Sequence, residues 1–114
     1  MLRPPDVIDP RVIRSALALS YERMARVLDV SGRTVERMEE SGRAPRSVVV
    51  AERLGRLAQL VELGQTVYTP EGWRQFLALP QPRFGGRTAV QLIERGEVER
   101  VIGALATDYE GAPT

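Results

Sequence analysis

Leu19 to Pro45 reads L-S-Y-E-R-M-A-R-V-L-D-V-S-G-R-T-V-E-R-M-E-E-S-G-R-A-P, and this stretch decides the fold. Ser20 is placed to cap a helix, because its hydroxyl can accept from a first-turn amide that has no partner inside the helix. Met24, Ala25, Val27 and Leu28 then fall on one face of a short helix. Asp29-Val30 is a tight connection, and Ser31 caps a second helix, Gly32 to Glu40, with Val35 and Met38 facing inward. Ala25 is small where two helices would cross closely, and Val30 can plug the turn. Two short capped helices at this spacing make a helix-turn-helix.

Working outward, residues 1–9 are a Pro-rich lead-in expected to be loosely ordered. Asp9-Pro10 pairs an N-cap with proline at the first helical position, where proline lacks nothing the helix needs. The helix it opens is expected to reach about Ala18, with Val12, Ile13, Ala16 and Leu17 as one apolar stripe. On the other side, Pro45 precedes a long helix over about Ser47 to Val67. Val50, Leu54, Leu57, Val61, Gly64 and Tyr68 form one row, and Leu60, Leu63 and Val67 a second. A helix that is apolar on more than one face is sandwiched, as a core helix or with one edge on another copy. Thr69-Pro70-Glu71 starts the next helix, and Trp73, Phe76 and Leu77 share one face of it. The lone Trp73 reads as a core anchor rather than a ligand platform. Leu79-Pro80 ends that helix, since the residue before proline avoids helical geometry.

The stretch from Pro80 to Glu97, P-Q-P-R-F-G-G-R-T-A-V-Q-L-I-E-R-G-E, is a glycine corner followed by a helix. Thr88 and Gln91 have the spacing of a capping box. Gly96 offers a left-handed C-cap before the last helix, which is expected from Glu97 to about Tyr109. Val98, Val101, Ile102, Leu105 and Tyr109 line one side of it, and Glu99, Arg100 and Asp108 the other. Glu110 to Thr114 reads as a short acidic tail. The whole is an all-α chain: a helix-turn-helix over 1–46, a connecting helix over 47–68 and a C-terminal helical domain over 69–114.

Composition narrows the function. The 114 residues are 43% apolar, 27% charged and 5% aromatic, which fits a small globular protein with an aliphatic core. There is no cysteine, so neither a disulfide nor a thiolate metal site is available. His and Lys are also absent, and all 16 basic residues are Arg. A His base, a Lys Schiff base and a Cys nucleophile are therefore excluded, which argues against an enzyme. Glu94, Glu97 and Glu99 do not rescue a hydrolase, because a helix brings 94 and 97 together and leaves 99 elsewhere. No metal or cofactor is implied. No apolar run approaches the roughly 20 residues of a membrane span, and the N-terminus lacks a signal-peptide core, so the cytoplasm is the expected compartment. Residues 1–60 carry eleven arginines against eight carboxylates, and residues 61–114 five against seven. A basic front and an acidic back suit two different partners.

The segment from Ser20 to Pro45 closely resembles the Xre-type, phage-repressor-like DNA-binding domain, with Met38 where Trp is frequent. That resemblance makes Gly32 to Glu40 the recognition helix. Arg33 or Arg37 would then take a guanine bidentately, and Thr34 would touch a thymine methyl or a phosphate. Arg43 and Arg46 would hold phosphates. The competing reading is a solvated face in which these arginines pair with Glu36, Glu39 and Glu40.

Gly72-Trp73, Phe76-Leu77, Pro80 to Pro82, G-G-R-T-A-V-Q-L-I and G-E-V-E-R-V-I-G-A-L resemble the toxin-binding domain of the MbcA/ParS/Xre antitoxin family, over roughly residues 70–111. Phe84 stands where Leu is common there, and Ala89 where Pro is common. The resemblance implies a type II antitoxin whose toxin is an RES-domain enzyme that consumes NAD or transfers ADP-ribose. Its C-terminal helices and tail would cover the toxin cleft through Arg87, Glu97, Arg100, Asp108, Tyr109, Glu110 and Gly111. It also implies repression of the chain's own operon, and a homodimer or a toxin–antitoxin hetero-oligomer. The alternative is a stand-alone dimeric repressor whose C-terminal half only dimerises.

Overall fold

The structure is a computed structural model, and it describes residues 9–43 and 45–111. The lead-in over 1–8, Ala44 and the end of the tail over 112–114 lie outside the described residues. Among the described residues there are helices and no strand, the all-α architecture the sequence predicts. The helices are α1 Pro10–Ala16, α2 Tyr21–Leu28, α3 Gly32–Ser41, α4 Val48–Val67, α5 Pro70–Ala78, α6 Ala89–Glu94 and α7 Val98–Gly111, with a 3-10 turn at Pro82–Phe84. The chain divides into two compact units, one ending at Ala58 and one beginning at Gln59, so the boundary falls inside α4.

In the first unit every predicted cap forms. Asp9 accepts from the Arg11 amide, Ser20 from Arg23 and Ser31 from Thr34. Helix α1 stops two residues before the expected Ala18, because Ala18 itself turns left-handed at φ 55°. The Ala18 amide donates to the Ser15 carbonyl and the Leu19 amide to the Arg14 carbonyl, which closes the helix end with a Schellman motif. Asp29, at φ 57°, ends α2 in the same way, with the Val30 amide donating to the Ala25 carbonyl at 2.9 Å. Leu17, Met24, Leu28 and Val35 are fully buried and form the centre of this unit. Arg53, from the first half of α4, donates to the Leu28 carbonyl at 3.1 Å and so ties α4 to the end of α2.

The second unit is built on aromatics and on the glycine corner. Trp73 stacks on Phe76 at 5.6 Å, and Phe76 meets Phe84 edge-on at 6.2 Å. Trp73 is 3% exposed, the core anchor expected of it. Its indole lies directly on Gly64: a Cβ there would come within 2.1 Å of the ring. Gly64 thus belongs to the apolar row of α4 because its missing side chain leaves room for the indole. The capping box at Thr88 is complete, with the Gln91 amide donating to Thr88 Oγ1 and the Thr88 amide to Gln91 Oε1. Gly96 closes α6 at φ 82°, with the Glu97 amide donating to the Leu92 carbonyl at 2.9 Å. Helix α7 runs through Gly111, so Glu110 and Gly111 form its last turn rather than a loose tail.

Candidate functional site

The first candidate surface is α3. Val35 and Met38 turn inward, and so does Glu39, whose side chain is 2% exposed. Glu39 lies four residues after Val35, on the apolar stripe, and its charge is met there. Arg14 of α1 donates Nε to Glu39 Oε2 at 2.6 Å and Nη2 to Oε1 at 3.0 Å. The same guanidinium donates to the Leu19 carbonyl and lies over the Tyr21 ring at 4.2 Å. Arg11 adds a bond to the Glu39 carbonyl at 3.2 Å, near the C-terminal end of α3, where the helix dipole favours a cation. Among the described residues, the arginines that hold Glu39 therefore come from α1, not from α3.

That leaves the outer face of α3 open. Arg33 and Arg37 are exposed, and neither has an ion pair among the described residues. Both line a shallow depression of about 490 Å³ together with Tyr21, Glu22, Gly32, Glu36 and Glu40. Arg37, Thr34, Arg43 and Arg46 line a second groove of about 770 Å³, floored by Val30, Met38 and Val50. So the five residues expected to meet DNA lie on or beside one helix, and Arg37 belongs to both hollows. Thr34 has a second duty: its amide donates to Ser31 Oγ at 3.1 Å and its hydroxyl shares a 2.9 Å bond with that oxygen. Its methyl group remains for a partner. An exposed arginine without a protein carboxylate keeps its planar fork available for a phosphate or a guanine edge.

The residues 8–59 match the antitoxin Xre-like helix-turn-helix domain. Within the matched residues α2 and α3 are the helix-turn-helix, and α3 is its second helix. The fold as a whole is similar to that of a chain in the crystal structure of the M. tuberculosis MbcT–MbcA toxin–antitoxin complex, with a TM-score of 0.68 and 22% identity. The match covers 95% of this chain and 96% of that one. No curated protein matches the chain.

The second candidate surface, which follows the helix-turn-helix in the chain, is the polar side of α7, and here the charges are spent internally. Arg83, in the 3-10 turn, grips Asp108 with both ends of its fork, at 2.7 and 2.8 Å. Its third donor, Nε, goes to Gln81 Oε1 at 2.8 Å, and Gln81 Nε2 donates in turn to the Phe76 carbonyl. The guanidinium lies over the Phe76 and Phe84 rings at 5.6 and 5.5 Å. The Tyr68 hydroxyl donates to Asp108 Oδ2, the oxygen that also accepts from Arg83 Nη2. The Arg83 bond holds the Asp108 carboxyl below the usual carboxylate range. Burial, and then the Asp108 bond, push the Tyr68 phenol up.

In the first turn of α7, Arg100 donates to Glu97 at 2.9 Å and reaches the Arg83 carbonyl at 3.3 Å. Arg95 donates to the other Glu97 oxygen at 2.9 Å. Bonds from Arg100 and then Arg95 hold the Glu97 carboxyl below its ordinary range. Of the residues expected to meet a toxin, Glu97, Arg100 and Asp108 are thus engaged within the unit. Arg87, Tyr109, Glu110 and Gly111 are exposed, Tyr109 by 58%. Arg83 and Tyr68 have no short-range sequence signal: each bonds a residue 25 or 40 positions away. Glu39 did carry one, its place on the inward stripe of α3.

Among the described residues no group of acidic side chains is arranged to hold a metal ion, and no helix is long and apolar enough to cross a membrane.

Proposed function

We propose that this chain is the antitoxin of a toxin–antitoxin pair, binding its toxin through the second unit and its operator through the Xre-like domain. One observation carries the reading: an antitoxin Xre-like domain sits in a fold shared, over nearly all of both chains, with a chain of a toxin–antitoxin complex. The toxin we infer is an RES-type enzyme that consumes NAD or transfers ADP-ribose. Neutralisation is by occlusion: the end of α7, with Tyr109 and Glu110, covers the toxin's nucleotide cleft. A cleft built for a dinucleotide must present cations to the pyrophosphate, and the Glu110 carboxylate is a fitting substitute ligand for them. Arg33 and Arg37 read the operator in the major groove, and Arg43 and Arg46 hold phosphates, so the complex represses its own operon.

The test is to purify this chain from its host with whatever it retains, and to assay the released partner for NAD loss. A partner that consumes NAD, and stops when this chain is added back, supports the reading. The second reading, a stand-alone repressor, draws on the open arginines of α3 beside the internally committed Asp108 and Glu97. Recovery of promoter DNA with no protein partner would favour it.

A further inference from the structure

The residues of α7 that the toxin-binding reading singles out differ sharply in what they already do. Both Asp108 oxygens are already engaged: Arg83 donates to each of them, and the Tyr68 hydroxyl adds a third bond at Oδ2. Arg83 likewise has each nitrogen of its fork occupied. Eight residues before Asp108, Arg100 reaches the carbonyl of the same Arg83. The last helix is therefore stapled at two points to a single residue of the 3-10 turn. Behind that turn the chain folds on itself: the Gly86 amide donates to the Gln81 carbonyl at 3.0 Å, and the Gln81 amide to the Arg87 carbonyl at 3.1 Å. Gly85 and Gly86 sit there at φ 66° and 82°, the left-handed region that favours glycine. The clamp from α7 adds the side-chain tie that joins this corner to the last helix. Tyr109 and Glu110, by contrast, follow Asp108 directly and are exposed.

We propose that Asp108 and Arg83 are positioning residues of the antitoxin surface: together they lock the Pro82–Phe84 corner to α7, and neither side chain contacts the toxin. Direct contact falls to their exposed neighbours. This rests on the antitoxin reading, and it gives Asp108 a different part within it. Losing the carboxylate loosens the presentation of Tyr109 and Glu110 instead of removing a contact. Truncation before Asp108 consequently disturbs the second unit as well as the surface.

A double-mutant cycle on the affinity for the co-purified toxin separates the two roles. Asp108→Asn and Arg83→Gln are each expected to weaken toxin binding about tenfold, and the double variant no more than that, because the clamp is already open after the first change. Amide exchange supplies the second readout. At Gly86 and Gln81 it should quicken in each single variant and in the double variant alike, while α3 keeps its protection. Tyr68→Phe, which leaves both charges in place, should give the same pattern at smaller size. If the double variant binds about a hundredfold more weakly, the two side chains act independently and Asp108 touches the toxin. Unchanged exchange at Gly86 and Gln81 would overturn the clamp itself. A wild-type chain that retains no toxin would instead remove the antitoxin reading, and the role of Asp108 with it.

Discussion

The two candidate surfaces use arginine in opposite ways. In the first, Arg14 and Arg11 come from α1 to neutralise Glu39, and this releases the arginines of α3 from any duty inside the protein. In the second, Arg83, Arg95 and Arg100 all face carboxylates or carbonyls of their own unit. An arginine with a saturated fork is part of the scaffold. An arginine with an empty fork on an exposed helix is a ligand site in waiting. The difference lies in the partners the fold supplies, since by residue type alone the two surfaces are alike.

The contrast can be broken at its strongest point first. Glu39→Ala leaves Arg14 partly buried without its partner and should cost about 3–5 kcal/mol, the usual penalty for breaking a buried pair. Urea unfolding measures it, and a cost near zero would mean that Arg14 and Glu39 are not a scaffold pair. In the second unit, Gly64→Ala pushes a methyl into the Trp73 ring and should cost about 1–3 kcal/mol, with a change in the fluorescence of the single tryptophan.

Asp108→Asn should cost about 1 kcal/mol at neutral pH, the scale of a well-aligned, partly exposed pair. It should also flatten the acid limb of the stability curve. The native Asp108 carboxyl is held below its unfolded value, so its contribution is complete above about pH 4 and is lost as pH falls through the lowered native value. A variant whose unfolding keeps the wild-type slope below pH 4 would show that the clamp carries no linked proton. The smallest effect is a gain. Ala18 is a non-glycine residue at φ 55°, and Ala18→Gly should stabilise the chain by about 0.5–1 kcal/mol, read as a rise in melting temperature.

Most of this architecture is legible from local rules. Ser20, Ser31, Thr69 and the Thr88–Gln91 box mark helix starts because capping is a contact between residues two or three apart. Trp73, Phe76 and Leu77 declare a buried face through spacing alone. The end of α1 was less legible, since nothing local announces that an alanine will turn left-handed. The candidate surfaces divide in the same way. The exposed positions of α3 follow from helical periodicity once Val35 and Met38 are inside. Which arginines are spoken for does not, because Arg14–Glu39 and Arg83–Asp108 each span 25 residues and are set by tertiary packing. Glu39, on the apolar stripe, was the one sign that a distant cation had to exist.

The most direct test of the account is separation of function in two double variants, assayed for operator binding at fixed salt and for toxin neutralisation. Arg33→Ala with Arg37→Ala is expected to lose the operator, by about 1–3 kcal/mol per arginine, and still to neutralise the toxin. Tyr109→Ala with Glu110→Gln should do the reverse. Loss of both activities in either variant, or of neither in both, would contradict the assignment of one partner to each unit.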